Sequence, residues 1–183
     1  LDFEVALSNS DQNLYSSLND DNNKGFGGKI NIKQRISDKK IKVDAFANYQ
    51  LIQESFKPIE RLFNIEFNRD WNITSPLIGN QSFLTSGLDF NFINKGKAIY
   101  QFENLTFGDA FSGNKHTLSG RYANKNWMLW SNSSAMKSDS ELSNSSFTRS
   151  ENRSSCKLGK NWVGATVNLE DNSEKLKVTN TFS

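Results

Sequence analysis

Arg61-Leu62-Phe63-Asn64-Ile65-Glu66-Phe67-Asn68-Arg69-Asp70-Trp71-Asn72-Ile73 puts Phe63, Ile65, Phe67 and Trp71 on one side of an extended chain. Leu62, Asn64, Glu66, Asn68, Asp70 and Asn72 fall on the other. Successive side chains of a strand point to opposite faces, so the stretch predicts a strand with one apolar and one polar face. Ile59, Leu62, Phe63 and Glu66 also fit helical spacing, and Pro58 suits a first helical turn. The period of two through Phe63, Ile65, Phe67 and Trp71 favours the strand, with a short helical turn left open at 56–60.

Working outward, the same scheme recurs. Leu1, Phe3, Val5 and Leu7 alternate with Asp2, Glu4, Ala6 and Ser8. Ile30, Ile32 and Ile36 alternate with Lys29, Asn31, Lys33 and Arg35, and Ile41 to Leu51 repeats the pattern. Leu84 to Phe92 and Ala98 to Phe102 flank Asn94-Lys95-Gly96, a hairpin signal. Leu118 to Tyr122, Trp127 to Trp130, Val163 to Leu169 and Leu176 to Phe182 complete the series, with a turn expected at 171–173. Between Ser131 and Lys160 the pattern fades, since eleven serines leave little apolar surface for two short strands. No βαβ alternation is visible. The expectation is a single all-β domain over 1–183. It is an antiparallel up-and-down meander of about ten or eleven strands, closed or strongly curved like a β-barrel to manage its edges.

Composition narrows the function classes. A net charge of +2 and 23% charged residues give no bulk attraction toward nucleic acid. Hydrophobic residues make up 36% and aromatics 12%, with a mean hydropathy of −0.64. That combination suits a sheet apolar on one face only, including an outer-membrane barrel. One cysteine, Cys156, excludes an intrachain disulfide, and one histidine, His116, excludes a Cys/His zinc site within one chain. No run of about 18 apolar residues predicts a transmembrane helix. The chain opens and closes in strand patterns, which reads as a processed product or a segment of a longer protein.

Alternation does not decide which side the apolar face meets. In a soluble barrel it points to a core or ligand cavity, and in a membrane barrel it meets lipid. Several strands reach the ~9–11 residues that cross a bilayer. Phe182, with Leu176 and Val178 before it, resembles the C-terminal strand signal of bacterial outer-membrane proteins. Ser8-Asn9-Ser10-Asp11-Gln12-Asn13 and Phe67-Asn68-Arg69-Asp70-Trp71, in a chain rich in Asn, Ser, Lys and Phe, resemble segments of outer-membrane and cell-surface β-proteins of Bacteroidota. The resemblance implies a Gram-negative outer-membrane or cell-surface location, with envelope lipid or envelope proteins as partners, and no activity. The expected function is a non-enzymatic envelope β-barrel or barrel segment with a structural, pore or assembly role. The alternative is a water-soluble β-barrel or curved sheet that binds a hydrophobic ligand or a protein partner, which the serine-rich span suits.

Lys29, Lys33, Arg35 and Lys42 share the polar side of one hairpin. They read either as cross-strand partners of Asp2 and Glu4 or as a basic lumen wall that attracts anions. Trp71, Trp127 and Trp162 each follow a cation and a small polar residue, which suits an aromatic belt at a membrane interface. In that setting Arg69 and Trp71 belong at a rim, whereas a mid-strand place in a buried core with Arg69 paired to a carboxylate means a soluble protein and speaks against the membrane reading. Asp11, Asn13, Asp20 and Asp21, with Asn23, offer oxygen ligands for calcium (Ca), though the spacing is not an EF-hand and turn chemistry explains the same residues. No other cofactor is expected. Glu66 and Asp70 point the same way on the expected strand, as a glycosidase pair would, but solvated or ion-paired carboxylates are the plainer reading. No catalytic residue is assigned.

Overall fold

A computed structural model describes residues 1–10, 23–59, 63, 66–73 and 76–177. Nine strands form one sheet in sequence order: β1 (Asp2–Asn9), β2 (Lys24–Asp38), β3 (Lys42–Ile52), β4 (Gln81–Phe92), β5 (Gly96–Phe107), β6 (Phe111–Ala123), β7 (Trp127–Ser140), β8 (Ser143–Leu158) and β9 (Asn161–Leu176). Every neighbouring pair is antiparallel. The all-β up-and-down meander is therefore as the alternation predicts. The sheet is open: among the described residues β1 pairs only with β2, and β9 only with β8.

Three local readings change. The stretch 61–73 is not a strand in its described part. Phe67–Asp70 is a single helical turn, α1, with Asp70 N–H donating to the Glu66 carbonyl at 2.8 Å and Trp71 N–H to that of Phe67 at 3.1 Å. Residues 63, 67 and 71 are spaced by four, which satisfies a period of two and a helical i, i+4 stripe equally well. The serine-rich span is two of the longest strands, β7 and β8, paired from Trp127↔Cys156 to Asp139↔Asn144. Serine tolerates a strand when the ladder on both sides supplies the backbone partners. The turn expected at 171–173 is absent, because Asp171, Asn172 and Ser173 pair with Thr148, Phe147 and Ser146 of an equally long β8. Among the described residues the count is nine strands, against the ten or eleven expected; residues 178–183, with Phe182, lie outside the described residues.

The packed core sits on one face of the sheet, at the end where β3 leads into β4. Trp71, Leu105, Phe111 and Met136 are buried, with Phe67, Ile73, Leu77, Phe83, Phe107 and Phe147 packed around them. Trp71 is 2% exposed and meets Phe83 edge-on at 6.0 Å between ring centroids, while Phe63 stacks on Phe67 at 4.1 Å. Gly113 of β6 makes room for the indole: a Cβ there would lie 2.9 Å from Trp71 ring carbons. Gly113→Ala is accordingly expected to cost about 1–3 kcal/mol by overpacking, measured by denaturant unfolding.

The described parts of the β3–β4 connection, 53–80, touch the sheet at both β1–β2 and β8. At one side Ser55 Oγ donates to the Lys24 carbonyl at 2.7 Å, and Lys57 N–H donates to Ser8 Oγ at 2.9 Å. Toward the other, the Asn72 amide donates to Ser145 Oγ of β8 at 2.9 Å. Asn72 adopts a positive φ of 53°, which an asparagine tolerates better than most residues.

Candidate functional site

The strand register sorts the side chains into two faces, because residues directly opposite in a sheet point the same way. Taken across the sheet, one face carries rows such as Arg35–Asp44–Asp89 and Glu103–Lys115–Met136–Phe147. This is the polar face, and it is the side on which Trp71 and the rest of the core pack. The other face carries Phe3–Ile30–Tyr49–Leu84 and Leu88–Tyr100–Leu118. It is the apolar face, and it has no layer over it among the described residues. Phe3, Val5, Leu7, Ile32, Leu118, Val163, Val167 and Leu169 are all exposed there.

An ordinary soluble sheet buries its apolar face and wets the polar one. Here the arrangement is inverted: the apolar face lies open and the loop that carries the core covers the polar face. Phe46 shows how the polar face accommodates an aromatic ring. It lies directly opposite Gly87, where an added Cβ would sit 2.6 Å from the Phe46 ring. The glycine is filled in by its neighbour's ring.

The two ends of the sheet also differ. The connections 39–41, 93–95, 124–126 and 159–160 at one end hold two or three residues each. The two long connections, 10–23 and 53–80, both lie at the other end. At the short-turn end the apolar face carries Phe92, Tyr122 and Trp127, with Phe92 and Tyr122 edge-on at 5.6 Å.

Charged side chains of the polar face form networks between strands. Arg35 donates to both Asp44 oxygens and pairs with Asp38 at 3.1 Å. Lys42 pairs with Asp38 at 3.1 Å and Lys33 with Asp44 at 3.9 Å. Lys97 of β5 reaches Asp89 at 2.9 Å, and Lys115 reaches Glu103 at 3.9 Å. Three of the four cations read as a basic wall are thus matched by Asp38 and Asp44, acids of their own hairpin. Lys29 stands directly opposite Glu4, as cross-strand pairing of β1 and β2 requires.

The other singled-out residues are scattered. Trp71 belongs to the buried core, not to a rim, and Arg69 pairs with Glu66 at 2.8 Å, as expected of a soluble protein, but both lie in the β3–β4 connection and neither is mid-strand. Trp127 is 48% exposed at the end of β7, on the apolar face. Trp162 stands opposite Lys157, which places it on the polar face near a turn. Glu66 precedes the helical turn and Asp70 is its last residue, with Glu66 held by Arg69. His116 accepts or donates a 2.8 Å hydrogen bond with the Tyr100 hydroxyl on the apolar face. Asp11, Asn13, Asp20 and Asp21 lie outside the described residues. Among the described residues no cluster of three or more His, Cys, Asp or Glu side chains suits a metal ion. Among the described residues no helix is long and apolar enough to cross a membrane.

Sequence reasoning passed over Arg121, Trp130 and Arg153. Each falls in a strand whose apolar pattern is weak, and only the register brings them into one row. Arg121 is directly opposite Trp130, and Trp130 opposite Arg153, whose guanidinium lies 5.0 Å from the indole centroid. Neither the family models, the curated proteins nor the solved structures contain a match to this chain.

Proposed function

We propose that this chain is the wall of a non-enzymatic β-barrel, or a segment of one, in a Gram-negative outer membrane or cell surface. Its apolar face meets lipid, and its polar face lines a water-filled interior partly filled by 53–80. The observation that carries this reading is the inverted sheet, with exposed apolar side chains on one face and ion-paired rows plus the core on the other. Three features agree with it. β2 to β9 are 11 to 16 residues long, enough to cross a bilayer. Every connection at one end holds two or three residues, and both long connections lie at the other end, beside the short turns 108–110 and 141–142. The aromatic group Phe92, Tyr122 and Trp127 marks a girdle position. Such a wall closes by pairing β1 and β9, with each other or through further strands.

A second reading has its own observation. On the apolar side of β7 and β8, Ser133 and Ser150 hydroxyls bond at 2.8 Å, and Ser131 donates to Asn152 at 2.7 Å. This polar patch suits a sheet that binds a hydrophobic ligand or protein partner from water.

One labelling experiment separates the two. Thr117 and Leu118 are neighbours on opposite faces of β6. Single cysteines are placed there in a Cys156→Ser background and labelled with an environment-sensitive fluorophore in phospholipid vesicles. A quencher carried on acyl chains is expected to act on the label at 118, and aqueous iodide on the label at 117. Equal iodide access at both positions, or a monodisperse monomer without detergent, sinks the membrane reading.

A further inference from the structure

We propose that the row Lys97–Arg121–Trp130–Arg153 is a binding site for the oxyanion of a water-soluble solute, a phosphate or a carboxylate. The row runs straight across β5, β6, β7 and β8 on the polar face, each member directly opposite the next. It extends through Asn91 on β4 to Lys42 and Asp38 of the β2–β3 hairpin, and to Thr166 on β9; the one carboxylate at that level, Asp38, lies at the far β2 end and is held by Lys42 and Arg35.

Neighbouring strands lie about 4.8 Å apart, and like charges directly opposite each other destabilise a sheet. Lys97 and Arg121 are such a pair. Lys97 is matched by Asp89 at 2.9 Å, and Arg153 by Glu151 on its own strand. Arg121 has no ion-pair partner among the described residues, and its side chain is exposed. The contrast with the β2–β3 hairpin is direct. There, Arg35, Lys33 and Lys42 share Asp44 and Asp38.

The row is also shaped. Lys97, Ile99, Ser119, Arg121, Trp130 and Asn132 line a hollow of about 400 Å³. A second hollow, of about 670 Å³, adjoins it and brings Arg121 and Trp130 together with Arg153 and Thr166. Trp130 is therefore the wall between two guanidinium groups, and its indole fixes Arg153 by a cation–π contact. A guanidinium offers a planar fork of donors that fits an oxyanion with two parallel hydrogen bonds. Arg121 supplies that fork and Lys97 an adjacent point charge. The site needs nothing from the apolar face, so it holds whether that face meets lipid, a ligand or a partner.

The test is calorimetric titration of the folded chain in zwitterionic detergent with inorganic phosphate. Saturable binding that weakens with added sodium chloride is expected. Arg121→Gln should weaken it by about tenfold or more, the worth of one charge-assisted hydrogen bond. Arg121→Lys, which keeps the charge without the fork, should fall between. Lys33→Gln, on the same face but within the Asp44 network, should bind as the parent does. Relief of the opposition to Lys97 should leave the unfolding midpoint of Arg121→Gln unchanged or raised, so lost binding is not lost folding. Absence of saturable binding by the parent overturns the proposal. Parent-like affinity in Arg121→Gln, or an equal loss in Lys33→Gln, does the same.

Discussion

Trp71→Ala is expected to destabilise the fold by about 3–5 kcal/mol, the cost of removing a buried indole and leaving a cavity. Trp71 joins the β3–β4 connection to the sheet: its ring meets Phe67 and Phe83, covers Gly113, and lies 5.9 Å from the Lys115 ammonium. Nothing else of its size in the connection is buried to the same degree among the described residues. Denaturant unfolding gives the loss, and limited proteolysis gives its location. Cleavage should rise sharply within 53–80 while β4 to β8 stay protected. A Trp71→Ala protein with parent-like stability and protease resistance would show that the connection is held by its hydrogen bonds to Ser8, Lys24 and Ser145 instead.

Leu118→Arg carries the second large effect, and its size depends on the medium at the apolar face. Leu118 is 47% exposed in the middle of β6, opposite Tyr100 and Ser133. Against lipid near the bilayer midplane, an arginine costs about 2–4 kcal/mol. Against water, a surface substitution of this kind changes stability by about 0.5 kcal/mol or less. Thr117→Arg next to it, on the polar face, is the matched control and should be nearly silent. Folding into vesicles, followed by denaturant titration of both variants, checks the pair. Equal stabilities for Leu118→Arg and Thr117→Arg contradict a lipid-facing sheet.

Much of the architecture was legible because a period of two is a strong signal wherever both faces are distinct. β3 is the clearest case: Val43, Ala45, Ala47, Tyr49 and Leu51 fall on the apolar face and Asp44, Phe46, Asn48 and Gln50 on the other, as alternation demands. The signal failed at opposite extremes. In β7 and β8 the apolar side chains are too few to show a period, and the strands form because their neighbours complete the ladders. At 63–73 the aromatic residues are abundant but spaced by four, where strand and helix coincide, so the densest apolar stretch was the least decisive. The oxyanion row was illegible for another reason. Lys97, Arg121, Trp130 and Arg153 are spread over 57 residues of sequence, and only the pairing of four strands sets them side by side. The cations of the β2–β3 hairpin stood out because they are close in sequence, yet the acids that match three of them are equally close.

The reach of the β3–β4 connection also sets an order of assembly. Every ladder in the sheet joins strands adjacent in sequence, and the pairs joined by two- or three-residue turns, β2–β3 and β4 to β9, form from local contacts at low loop-closure cost. The connection is the exception, since Asn72 meets Ser145 across 73 residues. Trp71 seats against Leu105, Phe111 and Met136, and that surface exists only once β5, β6 and β7 have come together. Its docking is accordingly expected to follow the rate-limiting step. Trp71→Ala should therefore quicken unfolding while leaving the folding rate nearly unchanged, the kinetic mark of a contact absent from the transition state.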